Sequence, residues 1–161
     1  MVVEIEGITL LSKEEYLAAE DVIPLYDIDW WWLRSPGKCP SKSTRFAAVV
    51  FRDGSVYSGG RIVKSIGNYV GFSLNVVRPA ILANLKSLHR GDKIEFAGHR
   101  WTVISENMMF IDDDIGKCAF NENYKDGNDY NNSTVKEYCE RGLASHRYEP
   151  MYLLKEERRE I

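Results

Sequence analysis

The chain has 161 residues, 44% of them apolar and 28% charged, with a formal net charge of −3. That is the balance of an ordinary globular protein, long enough to bury a sizeable core as a single domain over residues 1–161. No apolar run reaches the length of a membrane span, and Glu4 and Glu6 stand where a signal peptide carries lysines, so the expected location is the cytoplasm.

In chain order, Gly7-Ile8-Thr9-Leu10-Leu11 reads as a short strand. Ser12-Lys13-Glu14-Glu15 follows as a capping box, with Leu11 and Tyr16 as the hydrophobic staple, and predicts a helix over 13–20 that Pro24 closes off. Next comes Asp29-Trp30-Trp31-Trp32-Leu33-Arg34-Ser35-Pro36-Gly37. Each indole can bury about 150–250 Å², and in a strand successive rings alternate faces, so the stretch predicts a central strand covered on both sides and stopped at Pro36-Gly37.

Phe46-Ala47-Ala48-Val49-Val50-Phe51 is a strand by composition, and Asp53-Gly54 predicts a hairpin turn into Ser55-Val56-Tyr57. Arg61-Ile62-Val63 is a further short strand, with Gly67 and Gly71 bracketing a loop. Val76 to Leu82 reads as one strand in which Pro79 marks an edge, a bulge or an end. The stretch 85–91 is the one seam the composition offers. Beyond it, 93–96 and 100–104 alternate as a second hairpin, and 108–111 makes a third strand. Asn132 or Ser133 caps a helix with Val135, Tyr138, Cys139 and Leu143 on one face, and 151–154 is a final strand.

The candidate chemistry is sparse. Cys39, Cys118 and Cys139 are too few and too scattered for a disulfide framework, and no C-x-x-C pair suggests zinc. Asp112, Asp113 and Asp114 with Asp126 and Asp129 could supply oxygens to calcium, but the D-x-D-x-D-G pattern is missing. His89, His99 and His146 lack metal spacing, and no serine sits in a nucleophile elbow. No cofactor or metal is expected, and an enzyme is the least supported class. Trp30, Trp31 and Trp32 could floor a sugar site, though core packing is the stronger reading. Arg34 and Arg78 could grip a carboxylate or phosphate, or tie loops down through backbone carbonyls or an acid such as Asp29. The stretch 53–73 mixes Tyr, Ser, Gly and Asn as binding loops do, which nominates Tyr57, Arg61, Asn68 and Tyr69 as ligand contacts, with Arg45 from the wider Arg34–Ser73 loops. Between Arg34 and Lys64 seven basic residues face the single acid Asp53, a stretch that suits an anionic polymer or a solvated face.

These residues also match a known pattern. Gly7 to Glu15, Trp31-Trp32-Leu33-Arg34-Ser35-Pro36-Gly37, Phe46 to Val50 with Asp53 to Val56, and Val77-Arg78-Pro79-Ala80 occur in one order. In that order the chain resembles an uncharacterised bacterial family marked by a W-L-R-S-P-G motif and a closing V-R-P-A strand, common in gut Firmicutes and their mobile elements. Phe96 to Ile104 and Asn128 to Tyr138 resemble the opening strand pair and first helix of the same family, here placed after the V-R-P-A strand. The resemblance implies a circular permutation over nearly the whole length, with 1–85 and 92–161 as the exchanged halves. That family is similar to C-type-lectin-like and formylglycine-generating-enzyme-like folds, whose first and last strands pair; the paired cysteines of the latter are not recognisable here. The implied fold is α+β, a C-type-lectin-like set of mixed and antiparallel sheets with two main helices, circularly permuted. It places strand 77–82 beside 94–104 over a shared interior. The implied role is a non-catalytic module recognising a glycan or a protein. The alternatives are an assembly protein of a phage or mobile element, which could be a homo-oligomer, and an anionic-polymer binder. Nucleic acid is the less expected partner.

Overall fold

The computed structural model describes residues 4–23, 31–36, 46–58, 61–70, 73–122 and 130–154; over 51–58 and 61–70 the description is of the backbone, apart from Ile66. The elements are β1 (Ile5–Thr9), α1 (Lys13–Ala19), β2 (Trp31–Pro36), β3 (Phe46–Ser58), β4 (Arg61–Val70), β5 (Leu74–Val76), β6 (Ala80–Ala83), β7 (Lys93–Phe96), β8 (His99–Ser105), β9 (Met108–Ile111), β10 (Lys117–Ala119), α2 (Thr134–Ala144) and β11 (Tyr152–Leu153). They form an α+β structure with a six-stranded sheet, β1-β6-β9-β8-β7-β11, and a five-stranded sheet, β10-β5-β2-β3-β4. The pairings are antiparallel except β2 with β5, which run parallel at Trp31↔Val76. Among the described residues no helix is long and apolar enough to cross a membrane.

Strand alternation sorts the side chains into layers. Trp31, Val50 and Leu11 enter one cluster, while their neighbours Trp32, Val49 and Leu10 enter another. The first of these draws on both sheets, joining Trp31 and Ala48 to Ala80, Ile104, Met108 and Phe110, with Tyr16 and Ala19 of α1 over it. The second lies under α2 through Val135 and Cys139. A third cluster, around Ile81, Ile94, Trp101 and Met109, takes Leu143 from the end of α2, and Ile8 and Ile115 bridge it to the second. β2 is thus covered on both faces, and Trp31 and Trp32 are 2% and 0% exposed. At about 25 cal/mol per Å², each indole contributes on the order of 4–6 kcal/mol.

The local signals act as chemistry dictates. The Ser12 hydroxyl accepts the Glu15 N–H at 3.1 Å and the Glu15 carboxylate accepts the Ser12 N–H at 2.9 Å, closing the capping box of α1. Ser133 caps α2 by accepting the Lys136 N–H at 3.1 Å. Ala97 and Gly98 turn β7 into β8 with φ of 56° and 78°, positive at both central positions as a type I′ turn requires.

Four expectations need correction. β3 runs through Asp53-Gly54 without reversing: Arg52 pairs with Lys64 and Tyr57 with Ile62, so residues 53–56 oppose Val63 alone and form a bulge. The reversal lies between the paired Ser58 and Arg61, and Gly67 sits inside β4, not at the start of a loop. The stretch 76–82 is not one strand. β5 belongs to one sheet and β6 to the other, and Val77-Arg78-Pro79 crosses between them, with Pro79 at the strand end. Finally, β6 does not lie beside 94–104: it pairs with β9, which separates it from β8. Strands from both halves nevertheless mix in both sheets, since β1 and β6 join β7, β8, β9 and β11, and β10 pairs with β5. Pro24 and Trp30 lie outside the described residues.

Candidate functional site

The motif residues are built into the scaffold. Trp31 packs edge-on to Tyr16 at 5.4 Å and against Phe110 at 5.4 Å. Trp32 donates its indole N–H to the Cys118 carbonyl at 2.8 Å and meets Phe120 at 5.6 Å. Buried on both sides of β2, neither ring is available as a sugar floor. Leu33 is buried beside them. Arg34 pairs with Glu15 at 2.9 Å and also donates to Thr9 Oγ1 and the Leu10 carbonyl. Asp29 lies outside the described residues. Ser35 Oγ accepts the Lys13 N–H at 2.9 Å, fastening the start of α1 to β2. The backbone of Pro36 pairs with Ala47, and Gly37 lies outside the described residues.

Arg78 is 3% exposed and does not hold a ligand anion. Its guanidinium donates to the carbonyls of Asp113 (3.1 Å), Ile111 (3.2 Å) and Asp112 (2.9 Å), and lies 4.9 Å and 4.7 Å from the centroids of Trp31 and Phe110. Burial pulls its pKa down to about 10, against the pull of Asp112 and Asp114, so it remains a cation at neutral pH. Its place on the crossing between the sheets lets one side chain tie β5, β6 and the segment after β9 together.

The three consecutive aspartates have three separate tasks. Buried Asp112 accepts from Thr102 Oγ1 at 2.6 Å and from Lys93 Nζ at 2.9 Å. Asp113 holds His99 Nδ1 at 2.9 Å. Asp114 accepts the Gly116 N–H at 2.8 Å. They do not converge on one point, and among the described residues no group of three His, Cys, Asp or Glu side chains could hold a metal ion. Asp126 and Asp129 lie outside the described residues. The Cys118 and Cys139 thiols are buried and free, and burial pushes their pKa values up to about 11 and about 12, so both are held as unreactive thiols. Cys39 lies outside the described residues.

The nominated ligand contacts fall on strands instead of loops. Arg45 lies outside the described residues, while Tyr57 and Arg61 stand near the reversal of the β3–β4 hairpin, opposite Ile62 and Ser58. Asn68 and Tyr69 stand opposite Ala48 and Ala47, at the other end of β4. Seven residue steps along the strand separate Arg61 from Asn68, roughly 20 Å. The register therefore divides the set into two pairs and does not gather it at one point. β2 pairs with β3 only as far as Trp31↔Val50, so 51–58 and 61–65 continue as a two-stranded ribbon among the described residues.

A second feature escapes sequence reasoning. A groove of about 430 Å³ lies between the segment after β9 and α2, lined by His99, Asp114, Gly116, Tyr138, Arg141 and Gly142 with Ile115. The Tyr138 hydroxyl donates to the Ile115 carbonyl at 2.9 Å, which holds the two walls together. Gly116 has φ of 121° and packs its α-carbon against that hydroxyl, leaving no room for a Cβ. A glycine after three aspartates and another within α2 are the only traces of this groove in the sequence. Comparison of the chain with protein-family models, with curated proteins and with solved structures found no match in any of the three.

Proposed function

We propose that the protein is a non-catalytic recognition module that holds a protein or glycan ligand along the β3–β4 hairpin. The observation that carries this reading is made among the described residues: there the β3–β4 pairing continues past the last β2 partner, and β4 stands at the edge of its sheet. A two-stranded ribbon alone is marginal in water, and an edge strand presents unpaired N–H and C=O groups on which an extended partner can build. Tyr57, Ser58, Arg61, Asn68 and Tyr69 supply the side-chain chemistry of an adaptable binding surface. The motif arginines Arg34 and Arg78, by contrast, are bonded into the scaffold.

Kinship with C-type-lectin-like folds in circularly permuted order forms part of this proposal. Its support is the mixing of strands from both halves in both sheets; β1 and β11 stand at opposite edges and do not pair with each other. One observation favours a second reading, an anionic-polymer binder: Arg52 and Lys64 are direct cross-strand partners, a like-charge pairing that disfavours the ribbon until an anion is present. Glycan and peptide arrays probed with the full chain, with and without calcium, test the first reading. Binding above background supports it; an empty array combined with salt-sensitive retention on heparin or DNA transfers the case to the second.

A further inference from the structure

The geometry points to the groove between α2 and the segment after β9 as a separate binding site for a neutral polyol ring of monosaccharide size. It shares only a ligand class with the recognition role proposed above, because the groove adjoins β10 while the hairpin forms the opposite edge of that sheet. Its volume of about 430 Å³ is within the range of small-molecule sites.

Two glycines shape it, for different reasons. Gly116 is imposed by its positive φ and by the Tyr138 hydroxyl. Gly142 is not imposed. It lies within α2, where a Cβ would meet only Ile115 Cδ1, at an ordinary 3.4 Å. Gly142 stands in the last turn of α2, where glycine is still less favourable than alanine, and the packing gives no reason for that choice. A ligand lying against the helix backbone does give one.

The charges select the ligand class. Asp113 bonds to His99, and the Glu137 carboxylate, 3.7 Å from Arg141, offsets only part of the guanidinium charge. What remains is a guanidinium with donors to spare, 69% exposed, on the helix side, and the second carboxylate oxygen of Asp114 on the loop side. Ile115 and the Tyr138 ring, whose centroid is 5.9 Å from the Arg141 guanidinium, supply the apolar lining. An anion in the groove would meet the Asp114 carboxylate, and a cation would meet Arg141. A ring carrying neighbouring hydroxyls satisfies both the donor fork and the acceptor while its C–H edge covers the apolar part.

The test is an amide-resolved NMR titration of the full chain with D-glucose, D-galactose and N-acetylglucosamine in turn, with glycine and inorganic phosphate as charged controls. The Gly116 and Gly142 signals report on the groove, and those of 61–70 on the hairpin. One sugar is expected to shift both glycine signals with a millimolar Kd. Arg141→Ala is expected to weaken that binding about tenfold. Gly142→Ala is expected to weaken it while raising Tm, since alanine fits the fold. The inference is overturned if no sugar moves either glycine, if phosphate or free glycine moves them more strongly, or if Gly142→Ala leaves affinity unchanged. Shifts confined to 61–70 overturn the groove alone and leave the hairpin reading standing.

Discussion

Replacing Arg78 by methionine removes a side chain that joins the inter-sheet crossing to the segment after β9. Three carbonyls, those of Ile111, Asp112 and Asp113, lose their guanidinium donor in a buried setting, and two aromatic rings lose the cation above them. Bonds to a charged group are worth about 1.5–3 kcal/mol each, but the desolvation of the guanidinium offsets much of their sum. The net expected loss is about 3–5 kcal/mol, the range for removing one partner from a buried charged cluster. In a chain of this size that lowers Tm by about 10 °C. Urea and thermal denaturation give both numbers, with Arg34→Met as the comparison. Arg34 pairs with Glu15 and also donates to Thr9 Oγ1 and the Leu10 carbonyl, but the paired side chains are 34% and 32% exposed, so its loss should stay at about 1–2 kcal/mol. A loss below about 1 kcal/mol at Arg78, or equal losses at the two arginines, refutes the account of the crossing.

The remaining predictions concern smaller features. Ser12→Ala should cost about 1 kcal/mol in denaturation by removing the cap of α1, and the same change at exposed Ser87 should cost nothing measurable. Ala97→Gly should raise stability by about 0.5–1 kcal/mol, because alanine at φ of 56° is strained where glycine is not; a lower Tm would show that its methyl contact with the core outweighs the strain. The Arg90 guanidinium holds the Asp21 carboxyl down to about 2. Its folded-state pKa lies below the unfolded value, so the stabilisation is present above the ordinary carboxylate range and is lost as pH falls through about 2. A carboxyl-carbon NMR titration should show that midpoint, and Arg90→Ala should return it to the usual range. Iodoacetamide at pH 8 should leave Cys118 and Cys139 unmodified in the native chain and label both in urea, as read by mass spectrometry.

What was legible in the sequence was what neighbouring residues decide among themselves. The capping box at Ser12 and Glu15, the cap at Ser133, the buried face of α2 and the β7–β8 hairpin are local, and each formed as the spacing predicts. The tryptophans were legible as core because two adjacent indoles in a strand need cover on both faces. Features that depend on distant residues were not. Asp53-Gly54 carries the chemistry of a turn, but the pairing of 46–52 with 64–70 carries the strand past it, and the surplus residues become a bulge. Pro79 marks a break within Val76 to Leu82, but nothing local says that the strands on its two sides belong to different sheets. β10 is three residues long and is defined by its partner β5 more than by its own composition. The groove has no motif at all, because it arises where α2 meets a segment some twenty residues earlier in the chain.

The most direct test of the recognition role compares the full chain with a Tyr57→Ser/Arg61→Ser/Tyr69→Ser variant against whichever array ligand binds, by surface-plasmon titration alongside thermal melts. The account predicts a loss of at least about tenfold in affinity with Tm unchanged. Undiminished binding by a variant that melts with the parent would contradict it.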